Sequence, residues 1–175
     1  MDSSEFLDFL VTRCSVREYD QQEVPDADIT YILNCASSAP SAGNLEGWDV
    51  VIVEGQEDRE LVADAAYGQE HVQKAPVLLV VCANYVRSMS RYGERGILYA
   101  IQDATIACTY MMLAAHARRL HSCWVGAFRE EDVKEILNLP GHVRPVAILC
   151  LGKGFPTGDY TERMPVVEHI HHQSW

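Results

Sequence analysis

Apolar residues recur near helical period at the start of the chain. Phe6, Leu7, Phe9 and Leu10 predict a first helix over residues 4–13, with Asp2 and Glu5 resembling a capping box. Pro25 and Asp26 open a second helix, residues 26–38, with Ile29, Ile32 and Leu33 on one face. Ser, Pro, Gly and Asn over residues 37–47 predict a loop. Residues 48–54 (WDVVIVE) read as a strand and 58–66 as a short helix. Residues 76–83 (PVLLVVCA) are continuously apolar, as in a strand covered on both faces. The polar stretch 84–96, with Tyr85, Tyr92 and three arginines, predicts an exposed segment with freedom to move. Residues 97–119 form the longest predicted helix, apolar or small nearly all round, and so buried rather than amphipathic. Gln102, Asp103, Thr105, Thr109 and His116 interrupt it and Arg118-Arg119 flank it, which argues against a membrane span. Burial of such a helix in a short chain suggests a second subunit. A strand over 122–128, a helix over 130–137 and a buried strand over 145–151 (PVAILCL) complete the pattern. Helices and strands do not alternate strictly enough for a doubly wound fold, so the class is α+β with a mainly antiparallel sheet.

At 175 residues, with no linker or repeat, the chain predicts one domain spanning 1–175. Formal charge of -11, from 25 acidic and 14 basic residues, argues against a nucleic-acid binder but leaves room for a few basic groups around one small phosphate. The acidic start MDSSEFLDFL lacks the features of a signal peptide. Cys14, Cys35, Cys82, Cys108, Cys123 and Cys150 include no C-x-x-C pair and sit mostly in apolar segments. They read as reduced thiols in a cytoplasmic protein.

Candidate chemistry lies in a few short segments. Arg13-Cys14-Ser15-Val16-Arg17 places two guanidinium groups four residues apart around a hydroxyl, a set able to hold a phosphate dianion. Taken alone, these residues are explained more simply by a solvated basic helix end. Pro40-Ser41-Ala42-Gly43-Asn44-Leu45 lets backbone approach a flat ligand, with Ser41 and Asn44 as hydrogen-bonding groups, and is also an ordinary loop composition. Gly152-Lys153-Gly154 with Gly158 has the wrong spacing for a dinucleotide fingerprint and opens no helix. Lys153 and Arg163 are further phosphate candidates, with a solvent-exposed role as the default. Trp124-Val125-Gly126 breaks a strand end and could expose a backbone N–H to a planar cofactor, or simply end the strand. His169, His171 and His172 lack further ligands for a metal site, so no metal is expected.

In order, these segments resemble the nitroreductase family over nearly the whole chain. Arg13 to Arg17 is similar to the family's R-x-S-x-[RK] element, which binds FMN phosphate and ribityl groups. Residues 39–45 followed by Trp48 resemble A-P-S-x-x-N-x-Q-P-W, which reaches the flavin from the partner subunit; here Glu46-Gly47 replaces Gln-Pro. Tyr67-Gly68-Gln69 resembles a polar contact near the flavin ring, and Cys123 to Gly126 the segment whose amide faces flavin N5. Val143 to Val146 with Leu151-Gly152 resembles the closing strand, and Arg163-Met164-Pro165 the late [RK]-x-P of the phosphate site. The resemblance implies a three-layer sandwich, an antiparallel sheet flanked by helices, with the long helix at a homodimer interface. It implies an FMN-dependent oxidoreductase carrying electrons from NAD(P)H to nitroaromatics or quinones by a ping-pong route. The implied FMN contacts are Arg13, Cys14, Ser15, Arg17, Pro40, Ser41, Ala42, Asn44, Gln69, Val125, Gly126, Lys153 and Arg163, with no side chain needed as nucleophile or obligate acid. The rivals are a flavin-fragmenting or reductive dehalogenating relative on the same fold, and a non-enzymatic binding protein.

Overall fold

The computed structural model describes residues 2–156 and 162–175; Gly158 lies outside them. Helix α1 (Ser3–Thr12) starts where the sequence places it. Asp2 accepts from the Ser4 and Glu5 amides at 2.8 and 2.9 Å, and Glu5 accepts from the Asp2 amide at 2.8 Å, which satisfies amides a helix start leaves free. Helix α2 (Asp26–Ser37) follows Pro25 and buries Ile29, Ile32 and Ala36.

A turn at Ala42–Asn44 leads into β1 (Trp48–Val53), then α3 (Gln56–Ala65), α4 (Glu70–Lys74) and β2 (Val77–Asn84). After α5 (Tyr85–Tyr92) and the long α6 (Arg95–Ala117) come β3 (His121–Val125), α7 (Glu130–Ile136) and β4 (Val143–Gly152). The sheet order is β1-β2-β4-β3, with every pair antiparallel. The two continuously apolar runs are its central strands. Because side chains alternate across a strand, Leu79 and Val81 face α2 and α6, while Leu78 and Val80 face α3, α4 and α7. The result is helices, sheet, helices, in three layers.

Two expectations change. Residues 84–96 are not an open segment: α5 folds back on α6 and buries Ser88 completely. Gly96 makes this possible, since a Cβ there would lie 2.5 Å from the backbone of Ser88 and Met89. The apolar residues of α5, Val86 and Met89, are themselves exposed, so hydrophobic period gave no sign of the helix. Helix α6 is buried on one face, where Ala100, Ala104, Ala107, Met111 and Ala115 pack on the sheet, and open on the other, where Leu98 and Tyr110 are exposed. It is long and apolar enough to cross a membrane, but the face carrying Asp103 is sealed inside the domain, as in a core helix.

Candidate functional site

After α1 the chain becomes a strap along the outer edge of β3. Ser15 pairs with Ser122, and the Val16 amide donates to the Ser122 carbonyl at 3.0 Å. Val16 and Tyr19 turn inward and are buried; Ser15 and Arg17 turn outward. Tyr19 donates its hydroxyl to the Val16 carbonyl at 2.7 Å, and burial in this apolar setting pushes its pKa far up. On its other side the strap pairs with residues 153–155, through Asp20 to Lys153 at 2.9 Å and Phe155 to Glu18 at 3.0 Å. That contact explains the glycines of Gly152-Lys153-Gly154. A Cβ on Gly154 would stand 2.3 Å from the Glu18 carbonyl oxygen, and one on Gly152 2.6 Å from the Pro76 ring.

Three of the segments singled out in the sequence meet at this edge. Gln69, at the head of α4, donates to the Ala66 carbonyl at 2.8 Å and the Ala127 carbonyl at 3.1 Å, tying the α3–α4 corner to the exit of β3. Val125 is buried, and Gly126 is exposed just beyond the strand. The Arg17 charge acts on both His71 and Cys123. Burial, and then Arg17, lowers the His71 pKa, and its Nε2 is buried without a hydrogen-bond partner. Sequence reasoning assigned His71 nothing, since a lone histidine carries no spacing signal.

Arg13 and Arg17 form no ion pair among the described residues, a state they share with Arg59, Arg91, Arg95, Arg119 and Arg163, whereas Arg87, Arg118, Arg129 and Arg144 are paired. Two guanidinium groups without ion pairs and an exposed serine beside them fit an anionic, hydrogen-bonding ligand such as FMN. Behind the strap lies a cavity of about 90 Å³ lined by Arg13, Cys14, His116, His121 and Ser122. His121 accepts the Gly154 amide at 3.1 Å through Nδ1, and His116 Nε2 meets the Thr12 hydroxyl at 3.1 Å. Lys153 is exposed and gives its ammonium to Gln22 at 2.9 Å. Arg163 is exposed, beyond residues 157–161.

The second group stands at the opposite edge, where residues 40–47 lead into β1. The loop is doubled tightly, with positive φ at Gly43, Asn44 and Glu46. Ser41 Oγ accepts the Glu46 amide at 3.1 Å. Arg87 of α5 donates to the Glu46 and Trp48 carbonyls at 2.9 and 2.8 Å and pairs with Asp49 at 2.6 Å. Asp103, 2 % exposed, reaches out of α6 and accepts the Ala42 amide at 2.9 Å and the Gly47 amide at 3.1 Å. Pro40 and Asn44 are exposed, Ser41 and Ala42 half-buried. Sequence reasoning saw Asp103 as a polar interruption only. A lone acid in so apolar a helix was the available signal, because a buried carboxylate requires donors.

One helix serves as a ruler between the groups. Asp103 anchors the loop and His116 adjoins Arg13, so they are separated by about 20 Å at the α-helical rise. Within one chain the structure does not bring Pro40, Ser41, Ala42 and Asn44 to Arg13, Ser15 and Arg17.

The comparisons with known proteins agree with this architecture. The model described as "Nitroreductase family" matches residues 10–69 and 58–153. An NADH dehydrogenase of Thermus thermophilus is 31% identical over 182 residues, covering 88% of this chain and 89% of that protein. A Bacillus subtilis protein named FMN reductase (NAD(P)H) is 27% identical over 184 residues, covering 97% of this chain and 74% of its own length. The solved structure of NfrA2 from B. megaterium superposes with a TM-score of 0.91 at 25% identity, covering 100% of this chain and 76% of that one. With its strapped antiparallel sheet and long core helix, this chain belongs to the nitroreductase family.

Proposed function

We propose that this chain is an FMN-dependent oxidoreductase using NAD(P)H, built as a homodimer in which each flavin site draws on both subunits. The observation that carries the reading is the gathering of Arg13, Ser15 and Arg17 along β3, where both charges act on Cys123, beside Gln69 and the exposed Gly126. Named relatives that reduce FMN or use NAD(P)H support the activity. They favour a general reductase over a flavin-fragmenting relative or a binding protein.

In this reading Arg13, Ser15 and Arg17 hold the phosphate by charge-assisted hydrogen bonds, with the Cys14 backbone beside them and Arg163 closing the site. Lys153 contributes less, because Gln22 already occupies it. Gln69 and the Val125-Gly126 backbone border the ring, and Pro40, Ser41, Ala42 and Asn44 approach it from the partner. FMN held there would supply the redox chemistry, for electron transfer between NAD(P)H and a flat acceptor such as a nitroaromatic or quinone in a ping-pong sequence. The protein's part is to bind, orient and exclude water.

A second chain accounts for two features. It brings the loop to a site about 20 Å from the loop's own Arg13, by the rise of α6. It also covers the outer face of α6, where Leu98, Tyr110 and a shallow hollow bounded by Pro40, Tyr99 and Ile106 are open. Residues 1–175 act as one domain, and the acidic charge and six reduced thiols fit a cytoplasmic enzyme.

The test is the visible spectrum of the purified protein before and after NADH or NADPH. A two-banded yellow spectrum that bleaches is the expected result. A protein that stays colourless when FMN is added ends the proposal, and a yellow one that does not bleach points to the specialised relatives.

A further inference from the structure

The residue that shapes the loop at residues 40–47 is outside the loop and outside every motif. Asp103 projects from the buried face of α6, and its two oxygens take different amides: Oδ1 the Ala42 amide at 2.9 Å, Oδ2 the Gly47 amide at 3.1 Å. These amides bracket Gly43, Asn44 and Glu46, all in the left-handed region. Asn44 tolerates that backbone, but for Glu46 it is unfavourable and persists only when the surroundings impose it. A bidentate acceptor fixed in a core helix imposes it from both ends.

Position 47 is matched to this acceptor. A Cβ there would lie 3.0 Å from Asp103 Oδ2, 2.4 Å from Ser88 Oγ and 3.1 Å from the Ala100 Cα. Ser88 is fully buried, and its hydroxyl has no hydrogen-bond partner. Proline, frequent at this place in the family motif, has no N–H to donate and could not make the Gly47 bond. Glycine at 47, the acid at 103 and the small Ser88 of α5 form one interlocking set. Arg87, the neighbour of Ser88, adds its grip on the Glu46 and Trp48 carbonyls.

We propose that Asp103 is a positioning residue for flavin binding that acts in trans: by clamping the Ala42 and Gly47 amides, it holds Ser41 and Asn44 in the shape that receives the partner subunit's FMN. This rests on the two-subunit site proposed above. Asp103 touches neither cofactor nor substrate; it acts through the loop.

The experiment measures FMN affinity and stoichiometry in three purified dimers: Asp103→Asn, Arg17→Ala, and a mixed dimer with one chain of each, isolated with two affinity tags. In Asp103→Asn one acceptor oxygen becomes an NH₂ facing an N–H, and FMN affinity is expected to fall roughly tenfold, the loss of about one charge-assisted hydrogen bond. The melting temperature of the FMN-free dimer is expected to fall by a few degrees only, as the loss of one buried hydrogen bond should, with the dimer still folded. In the mixed dimer, the site with the intact Arg17 faces the loop with the intact Asp103. It is expected to bind one FMN per dimer at the parent affinity, while the other site carries both lesions.

Parent affinity in Asp103→Asn overturns the proposal. So does a mixed dimer in which no site binds tightly, because Asp103 would then serve its own chain's flavin or act by general destabilisation. If Arg17→Ala keeps FMN as the parent does, the phosphate-clamp reading fails instead, independently of Asp103. Should Asp103→Asn not fold, Gly47→Ala leaves the carboxylate in place and pushes residue 47 off it. It is expected to give the same roughly tenfold loss and the same half-occupied mixed dimer; parent affinity there would equally overturn the proposal.

Discussion

The two halves of the candidate site are built by different physics. At the strap, backbone pairs with backbone: Ser15 lies on β3, Tyr19 on Gly154, and the basic side chains project from a strand fixed on both sides. At the loop, the backbone follows no regular pairing. Its amides and carbonyls are satisfied by side chains reaching in from helices, Asp103 from α6 and Arg87 from α5. The strap should therefore resist loss of any one side chain as a structure while losing its ligand at once. The loop should lose shape first and ligand as a result.

The sharpest way to break this contrast is at the arginines. Arg17→Ala and Arg13→Ala are each expected to weaken FMN binding by roughly 10- to 100-fold with the strap still in place. Lys153→Ala is expected to change it by less than about threefold, as an exposed ammonium bonded elsewhere should. Titration of FMN into the stripped proteins checks this, and equal losses in all three would remove the distinction.

Next in size is the response to an added methyl group. In Gly154→Ala the new Cβ meets backbone, the Glu18 carbonyl at 2.3 Å, so the strap itself must shift. A cost of about 1–3 kcal/mol is expected, and a fall in Tm of about 2–4 °C for each kcal/mol. In Gly43→Ala the first obstacle is the movable Tyr92 hydroxyl at 2.4 Å, leaving mainly the positive φ of 60°. The expected cost is about 1 kcal/mol. Thermal melts of the two proteins rank them, and a larger loss in Gly43→Ala would reverse the comparison.

The smallest effect concerns pH. His71, His116 and His121 all lie on the strap side, and burial holds each below the ordinary 6.5. The unfolded chain then binds protons before the folded one does, so stability is full above 6.5 and declines as pH falls through that value. A Tm profile from pH 8 to pH 5 should show the decline, and His116→Gln should flatten part of it. A flat profile in the parent would mean that these imidazoles are more open to water than their positions indicate.

Legibility in the sequence followed the same division. Arg13 to Arg17 could be picked out as a basic element just past a helix, though not as a strap on β3, and the central strands could be read from their unbroken apolar runs, because strand burial on both faces leaves so plain a pattern. The loop could be recognised by composition but not explained. Its determinant, Asp103, is about sixty residues away, and only the packing of α6 brings it close. Helix α5 was missed for a related reason: it is held by Ser88, Gly96 and Arg87 rather than by an apolar stripe.

The Gly47 amide also constrains how this chain could change over generations. A mutation to proline at 47 forfeits a bond and collides with Ser88 and Asp103 while those residues remain. A lineage that first loses the acid at 103 meets the same change with one obstacle fewer. The effect of the second substitution depends on whether the first has happened, so the order of mutations matters. Positions 47, 88 and 103, scattered in sequence, should accept exchange as a set and resist it singly.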